Sequence, residues 1–408
     1  MMQTTSQNFM GNARAALQNP ALQRALQNIK PGFRRKRAAA IAKLPEFDAL
    51  REVGRNLKNQ VIENLDFYLE RFEAKVKEQG GQVHWARDAA EANQIVLAIC
   101  CAVDAQRVTK GKSMISEEIG LNDFLVAHGI QPIETDLGEY IIQLRHEHPS
   151  HIIAPAIHLN RDQVADAFHA HHAPYGFTER CTEPRSLMDE ARQVLRRQFL
   201  SADVGITGAN FCIAETGTTV LVTNEGNGDL TQSLPRIHIV LASIEKMVPT
   251  LEDVSTFIRL LSRSATGQEI SVYTTFSSGP RRADDLDGPE QFHVVLLYNG
   301  RSAMIGSEFQ DMLRCIRCAA CINHCPVYGA IGGHAYGWVY PGPMGAVLTP
   351  QLIGVKVASH LPNASTSCGH CEAVCPVHIP LVKMMRHWRE QEFEQRLAPI
   401  SIRFGLNL

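Results

Sequence analysis

The stretch CIRCAACINHCP (315–326) decides the fold of the C-terminal part of this chain. Its four cysteines follow the spacing C-x2-C-x2-C-x3-C, and a proline comes directly after the last of them. This spacing is typical of [4Fe–4S] ligands, in which the first three cysteines bind one cluster and the fourth binds a second cluster. The small residues Ala319 and Ala320 allow backbone N–H groups to approach the sulfides. The stretch therefore predicts a domain folded around iron–sulfur clusters.

A second stretch, CGHCEAVCP (368–376), repeats the last three cysteines and the proline of the first, but its leading cysteine is replaced by Ser365. Under the crossed rule we expect one complete [4Fe–4S] cluster and a second cluster with three thiolate ligands. The last iron of the second cluster takes a nearby oxygen ligand, stays open, or is absent, as in a [3Fe–4S] cluster. The predicted ligands are Cys315, Cys318, Cys321 and Cys375 for the first cluster and Cys325, Cys368 and Cys371 for the second.

Zinc is the main alternative for paired cysteines. Structural zinc sites use four ligands, commonly as two separated pairs of Cys or His, which gives no reason for a triple C-x2-C-x2-C followed by Cys-Pro. Iron–sulfur clusters are therefore favoured, and two adjacent clusters indicate electron transfer. Between the two stretches, GGHAYGWVYPGPMG (332–345) either covers the clusters or forms a docking face, and covering is the favoured role. The remaining cysteines are expected to be buried apolar side chains: Cys100, Cys101, Cys181 and Cys212.

The 408 residues are 45% hydrophobic and 20% charged, with a formal net charge of -2. This near-neutral charge gives no reason to expect nucleic acid or an anionic membrane as a partner. The longest apolar run, IVLAICCAV (95–103), is far shorter than the ~20 residues of a transmembrane helix, so no transmembrane segment is predicted. The N-terminus lacks the apolar region of a secretory signal, and the expected location is cytoplasmic.

The order of helical and strand patterns predicts two domains after a helical segment. Residues 1–75 are rich in helix formers, and residues 76–300 alternate between strands and helices, which indicates an α/β domain with a mostly parallel sheet. Residues 301–395 hold the cysteines among loops and short helices, and residues 396–408 form a short tail. One helix is expected around 117–128. Strands are expected at 82–85, from 107, and at 130–135, 151–153, 211–214, 219–222, 237–241 and 293–297.

Polar groups outside the cysteine region have a functional and a structural interpretation. Glu134, Asp136 and Glu139 follow a strand and either line a site at the carboxyl edge of the sheet or cap helices and form loop ion pairs. Residues 225–227 either bind an anion through backbone N–H groups or form a plain turn. The basic run 34–37 is interpreted as a solvated helix face or a contact for an acidic partner. Seven histidines suggest a metal site, but core or surface positions are favoured for them: His146, His148, His151, His158, His169, His171 and His172.

Several long strings resemble one family. The strings KSMISEEIGLN (112–122), ETDLGEYIIQL (134–144), PSHIIAPAIH (149–158), GITGANFCIAETGTTVLVTNEGN (205–227) and SGPRRADDLDGPEQFHVVLL (279–297) are similar to the LUD domain of lactate-utilisation proteins. The cysteine region, over 315–350 and 361–381, is similar to the cluster domain of the same proteins. The resemblance is to the lactate utilisation protein B family and spans nearly the whole chain from about residue 30.

This resemblance implies a NagB/RpiA/CoA-transferase-like α/β domain followed by an α-helical ferredoxin-type domain with two clusters. It implies a role in oxidising L-lactate to pyruvate, beside a cysteine-rich heterodisulfide-reductase-like subunit and a smaller LUD-domain subunit. The seven cysteines correspond to the family's cluster ligands, and the serine at Ser365 also resembles the family. Members usually continue well past HWREQEF (387–393), whereas this chain ends at Leu408.

Electron counting separates the chain from the chemistry of lactate itself. Each cluster carries a single electron, whereas the oxidation removes two, so another group must split the pair. Neither G-x-G-x-x-G after a strand nor G-x4-G-K-[ST] is present, so we expect a partner to do this and the chain to be a non-catalytic electron-transfer subunit. Two alternatives remain: the same role for another 2-hydroxy acid such as glycolate, or a LUD-domain binding or regulatory module with redox-sensing clusters.

Overall fold

The computed structural model describes residues 4–27 and 29–397, so most of the expected tail at 396–408 lies outside the described residues. The strands are β1 (Gln82–Ala86), β2 (Arg107–Gly111), β3 (Gln131–Glu134), β4 (Val204–Gly208), β5 (Phe211–Ile213), β6 (Thr218–Thr223), β7 (Ile237–Ser243), β8 (Met247–Val248), β9 (Tyr273–Ser277) and β10 (Gln291–Leu297). The helices are α1 (Phe9–Leu17), α2 (Pro20–Leu26), α3 (Arg35–Ala42), α4 (Phe47–Glu63), α5 (Leu65–Glu78), α6 (Ala89–Cys101), α7 (Met114–Glu118), α8 (Leu121–Ala127), α9 (Leu137–Leu144), α10 (Arg161–His171), α11 (Pro184–Leu200), α12 (Asn227–Ser233), α13 (Leu251–Ala265), α14 (Ala320–His324), α15 (Pro326–Ile331), α16 (Gly342–Ile353), α17 (Val355–Ala358), α18 (His370–Ala373) and α19 (Leu381–Glu394).

Six strands form one sheet in the order β1-β10-β7-β4-β2-β3, and every neighbouring pair is parallel. This confirms the expected α/β class with a parallel sheet. Successive residues of a strand point to opposite faces, so Ile239 packs with α6 while Val240 packs with α5. A third helix, α12, lies so close to β4 that a Cβ on Gly205 would be 1.8 Å from the carbonyl oxygen of Thr231. Helices therefore bury both faces of the sheet.

A second sheet has four strands in the order β8-β5-β6-β9. Its first strand in the chain, β5, follows directly after β4. Strands β5 and β6 are antiparallel and are joined by a tight turn, in which Gly217 has a φ of 70°. Helix α13 covers this sheet, and the rings of Phe211 and Phe257 lie 5.4 Å apart. The sequence pattern predicts the hairpin but does not separate this second sheet from the first.

The cysteine-rich region shares one hydrophobic core with the N-terminal helices α1, α2 and α4. Phe9 of α1 packs edge-on against Tyr336, with ring centroids 5.7 Å apart. The backbone N–H of Thr5 donates to the carbonyl oxygen of Gly337 at 2.9 Å. A Cβ on Gly337, whose φ is 72°, would lie 2.4 Å from the backbone nitrogen of Ser6. The N-terminal segment is therefore part of the cysteine-rich fold.

Two secondary-structure expectations are wrong. The single helix around 117–128 is two helices, α7 and α8, separated at Gly120, whose φ of 66° belongs to the left-handed region. The expected strand at 151–153 is an irregular bend, because the His151 ring accepts the backbone N–H groups of Ile153 and Ala154. No described helix is both long enough and apolar enough to span a bilayer.

Candidate iron–sulfur centre and the adjoining cavity

The two cysteine loops have the same local backbone. Arg317 and Ala319, on either side of Cys318, have φ values of 59° and 61°. Ser367 and Gly369, on either side of Cys368, have φ values of 54° and 76°. Left-handed residues are uncommon outside glycine, so both loops turn sharply around their cysteine. The sequence repeat is therefore also a repeat of conformation.

The structure gathers the seven thiols into two neighbouring sets. In the first set, burial and then the charges of Cys318, Cys315 and Cys375 raise the pKa of Cys321 well above its usual value. These four cysteines also line one small internal cavity. In the second set, burial, Glu372 and the nearby Cys325 and Cys368 raise the pKa of Cys371 to about 12. This grouping agrees with the crossed rule, whose assignment of the seven cysteines as cluster ligands stays a prediction.

The last cysteine of each stretch, directly before the proline, has its sulfur facing backbone donors. Tyr328 N–H donates to Cys325 Sγ at 3.5 Å, and Ile379 N–H donates to Cys375 Sγ at 3.4 Å. Such bonds satisfy the sulfur and favour the more negative, reduced state of a bound cluster.

The two sets differ in exposure. Cys318, Cys321 and Cys375 are buried, whereas Cys368 of the second set is exposed. Ser365, at the position of the missing cysteine, is half-buried, and its Oγ accepts the backbone N–H of Ser367 at 3.1 Å. The first set is therefore enclosed, and the second reaches the surface.

Arginines of the N-terminal helices contact the backbone of both cysteine stretches. Arg34 Nε donates to the Asn323 carbonyl at 2.6 Å, and Arg37 Nη2 donates to the Val374 carbonyl at 2.9 Å. The interpretation of 34–37 as a solvated face or partner contact is wrong for these two side chains. They place positive charge beside thiolates, where a bound cluster with its four thiolates carries net negative charge.

The glycine- and aromatic-rich segment 332–345 covers the cysteines, as the favoured interpretation predicts. Tyr336, Tyr340 and Met344 are buried, and Met344 lines the small cavity of the first set. The buried Tyr336 hydroxyl lies beside Cys325, and burial and then the charge of that thiol raise the pKa of Tyr336 well above its usual value. Sequence reasoning missed Tyr336 because only the fold brings it to the second set.

A buried ionic network joins the α/β domain to the cysteine loop. Arg301 makes a bidentate pair with Glu118 and also lies 3.3 Å from Glu245 Oε1. Arg317 Nη2 donates to the same Glu245 oxygen at 3.1 Å, and its guanidinium packs 4.9 Å from the centroid of Tyr340. Burial raises the pKa of Glu245, but the charges of Arg301 and Arg317 outweigh it and leave the pKa at about 2. The network holds the first cysteine loop against the sheet.

A cavity of about 1380 Å³ lies between the carboxyl edge of the parallel sheet and this loop. Residues that follow β2, β3, β4 and β7 line the cavity. The carboxyl ends of these strands form the edge at which open parallel sheets bind ligands. Its charged lining includes Lys112, Asp136, Glu139 and Lys246, and Arg317 forms the wall toward the cysteines. The cavity therefore links the usual ligand edge of the sheet to the first set of thiols.

The acidic candidates of the sequence have both of the roles considered for them. Asp136 caps α9 and pairs with Lys112, yet it lines the cavity, as does Glu139. Burial and then the charge of Glu134 raise the pKa of Glu139 well above its usual value. Glu134 itself pairs with the buried Lys110 at 2.6 Å and is not among the lining residues. Residues 225–227 also line the cavity, and Glu225 pairs with Lys112 at 3.0 Å.

Of the seven histidines, four are exposed, one is half-buried and two are buried, which are respectively His146, His148, His169 and His171; His158; and His151 and His172. His151 Nε2 lies 3.0 Å from Asn323 Oδ1, and His172 lies between Tyr140 and Glu190 in the core. His158, Glu147 and His334 have ligand atoms within 4.8 Å of one another, and His158 Nε2 bonds to Glu147 at 2.7 Å. Among the scattered cysteines, Cys100 and Cys212 are buried as expected, and Cys181 is half-buried against the core. The expectation is wrong for Cys101, the last residue of α6, which is exposed.

The donor set fits iron–sulfur clusters. The seven cysteines are free thiols, four of them line one small cavity, and Cys325 and Cys368 lie near Cys371. Backbone N–H groups and arginines surround them with positive partial and full charge. Thiolates of this kind bind iron in clusters, and the clusters supply one-electron transfer.

Comparisons with known proteins match both the α/β domain and the cysteine-rich region. Residues 69–297 match the LUD domain, and residues 311–379 match the 4Fe-4S dicluster domain. Lactate utilization protein B of Anoxybacillus flavithermus is 43% identical over 407 residues, which are 99% of this chain and 85% of that protein. Lactate utilization protein B of Shouchella clausii is 44% identical over 389 residues, covering 95% of this chain and 81% of that protein. A crystal structure of a DUF162 family protein from Deinococcus radiodurans matches 57% of this chain and 98% of that one at 16% identity, with a TM-score of 0.32.

A parallel α/β domain followed by a cysteine-rich helical region defines an iron–sulfur protein with a LUD domain. Within that class, the chain belongs to the lactate utilization protein B family.

Proposed function

We propose that this chain is the iron–sulfur electron-transfer subunit of a complex that oxidises L-lactate to pyruvate, which allows growth on lactate. The names of its relatives and the dicluster match support this role. The observation that carries it is the arrangement of the seven thiols as two adjacent sets. Two clusters side by side form a path for single electrons, whereas an isolated cluster is more often structural.

The ligands follow from the two sets of thiols. Cys315, Cys318, Cys321 and Cys375 hold the first [4Fe–4S] cluster, and Cys325, Cys368 and Cys371 hold the second. The fourth ligand of the second cluster is a non-cysteine group or is absent, which makes that cluster [4Fe–4S] or [3Fe–4S]. Electrons enter at the enclosed first cluster and leave through the second, whose Cys368 is exposed.

The complex contains two further subunits in this proposal, a cysteine-rich heterodisulfide-reductase-like subunit and a smaller LUD-domain subunit. Conversion of lactate to pyruvate releases two electrons and two protons. Because each cluster of this chain accepts one electron, a partner splits the pair, and the chain passes the electrons singly to an acceptor.

The test is spectroscopic. The chain is purified without oxygen, iron and sulfide are counted, and EPR spectra are recorded before and after L-lactate is added with both partner subunits. We expect about eight irons per chain for two [4Fe–4S] clusters, or about seven with a [3Fe–4S] cluster, and reduced-cluster signals after lactate. A parallel sample with glycolate tests the other 2-hydroxy acid. Clusters that stay oxidised with lactate and the complete set of subunits would falsify the role.

A further inference from the structure

Two cationic side chains on one wall of the large cavity have hydrogen-bond donors that the described part of the protein leaves unused. Lys246 follows β7 at the carboxyl edge of the sheet, and Arg317 lies between Cys315 and Cys318 in the first cysteine loop. Both line the cavity of about 1380 Å³. Each therefore faces the space between the sheet and the first set of thiols.

Lys246 is a mostly buried residue whose ammonium group has no protein partner among the described residues. Lys246 is only 7% exposed, yet its Nζ has no hydrogen bond or ion pair within residues 4–27 and 29–397. Its neighbour Lys58 shows the contrast, because Lys58 Nζ donates to the carbonyl oxygens of Glu245 and Met247. A buried charge without a partner is costly, so the site of Lys246 is complete only when an anion or water occupies the cavity.

Arg317 is held in place but is only partly satisfied. One end of its guanidinium, Nη2, donates to Glu245 Oε1 at 3.1 Å, and the plane packs on Tyr340. The other end, Nη1, is buried and has no partner among the described residues. Because Arg301 also pairs with Glu118, the carboxylates of Glu118 and Glu245 together balance the charges of Arg301 and Arg317, and what Arg317 keeps is an unused N–H donor. One rigidly positioned donor is thus left unused beside the cavity.

We propose that Lys246 and Arg317 bind the carboxylate of a small 2-hydroxy or 2-oxo acid in this cavity, beside the cysteine loop of the first cluster. The inference rests on the proposed function for the class of acid and goes beyond it in placing the acid on this chain. An ammonium and a guanidinium N–H together form charge-assisted hydrogen bonds to one carboxylate. The cavity exceeds the roughly 300–1,000 Å³ of ordinary ligand sites, so the acid occupies only the end near the cysteines.

The proposal concerns binding and not the removal of electrons. An anion bound at this place would add negative charge close to the first cluster and make its reduction less favourable. Ligand binding and the midpoint potential of that cluster are therefore two independent readouts of the same site.

The test uses the cluster-loaded chain, purified without oxygen and titrated calorimetrically with L-lactate, pyruvate, L-lactamide and inorganic phosphate. We expect lactate or pyruvate to bind, the neutral lactamide not to bind, and the midpoint potential of the first cluster to fall when the acid is bound. Lys246→Gln and Arg317→Gln should each weaken binding at least about tenfold. Lys356→Gln, a change at an exposed lysine outside the cavity, should leave it unchanged.

The outcomes separate this inference from the proposed function. Lack of acid binding to this chain, tighter binding of phosphate than of either acid, or equal affinity of Lys246→Gln and wild type overturns the inference. Lactate-dependent cluster reduction with the partner subunits would still support the proposed function in that case. Conversely, acid binding without such reduction supports this site and overturns the electron-transfer role. Iron counts on Lys246→Gln, whose side chain is not a predicted ligand, distinguish lost binding from lost clusters.

Discussion

Arg301 forms a bidentate ion pair with Glu118, with N–O distances of 2.8 and 2.6 Å and both side chains fully buried. Burial raises the pKa of Glu118, but the Arg301 charge outweighs it and leaves the pKa below its ordinary value. The Tyr340 hydroxyl donates to the same carboxylate at 2.7 Å. Because Glu118 belongs to α7 and Tyr340 to the segment that covers the cysteines, this pair joins the sheet to the cluster region.

Arg301→Met should destabilise the fold strongly. The substitution leaves Glu118 buried without its counter-charge, and breaking a buried pair from one side costs about 3–5 kcal/mol. The free energy of unfolding, measured by urea titration of the cluster-loaded chain, reports the loss. As a control, Lys43→Ala breaks the exposed pair with Glu269, whose side chains are 66% and 56% exposed. That change should cost less than about 1 kcal/mol, and equal losses for the two variants would contradict the assignment.

Arg37→Gln should lower the midpoint potential of the first cluster. Reduction adds negative charge to a cluster, and Arg37 contributes positive charge beside Cys318 and Cys375. We expect a fall on the order of tens of millivolts in a redox titration followed by EPR. Arg35→Gln changes an exposed residue of the same basic run and should leave the potential unchanged. A similar shift in both variants would show that Arg37 acts only through the net charge.

Cys318→Ser should remove the first cluster, whereas Cys212→Ser should leave both clusters intact. Cys318 lines the small cavity of the first set of thiols, whereas Cys212 lies in β5 and does not line it. Burial raises the pKa of both thiols to about 12, so burial alone does not distinguish them. Iron analysis should show a loss of about half of the iron in Cys318→Ser only. Cluster loss in Cys212→Ser would refute the assignment of ligands.

The stability of the sheet should fall in mild acid because of His238. This side chain is buried in β7 beside Thr207, and burial followed by the charge of His293 lowers its pKa to about 3. An unfolded histidine titrates near pH 6.5, so the unfolded state binds more protons between about pH 3 and 6.5. The stabilisation is present above pH 6.5 and is lost as the pH falls towards 3.

Urea titrations at pH 7.5 and 5 measure this dependence. Neutral His238 should account for about 2 kcal/mol of the fall in unfolding free energy between these values. His238→Gln should therefore show a shallower dependence on pH, and the exposed variant His128→Gln should keep the wild-type dependence. The same slope in all three proteins would mean that other groups cause the acid sensitivity.

Local chemistry made the cysteine region and the sheet predictable. The ligand spacing reflects a loop of a few residues around one cluster, so it can be read from the sequence alone. The strands at 237–241 and 293–297 are apolar except for one histidine each, which is typical of a sheet with both faces covered. The structure places them next to each other as the parallel pair β7 and β10.

The contacts that complete the site are not local, and this is why the sequence does not predict them. Arg37 meets Val374, and Arg301 meets Glu118, across long stretches of chain. No sequence motif marks Lys246, because the lack of a partner for its ammonium group follows from its position in the fold and not from its neighbours in sequence. The sequence does not predict the bend at His151 either, because the His151 side chain, and not a neighbouring strand, accepts the backbone N–H groups of Ile153 and Ala154.

The docking of the N-terminal helices on the cysteine region has a consequence for synthesis. Thr4 bonds to the carbonyl oxygen of Gly337, 333 residues further along the chain. At ~5–20 residues per second, these helices leave the ribosome on the order of tens of seconds before the loops they cover. Their apolar faces therefore stay exposed during synthesis and are surfaces that chaperones bind. Until the helices dock, newly made cysteine loops stay open to iron and sulfide, so the order of assembly itself leaves a route for loading the clusters.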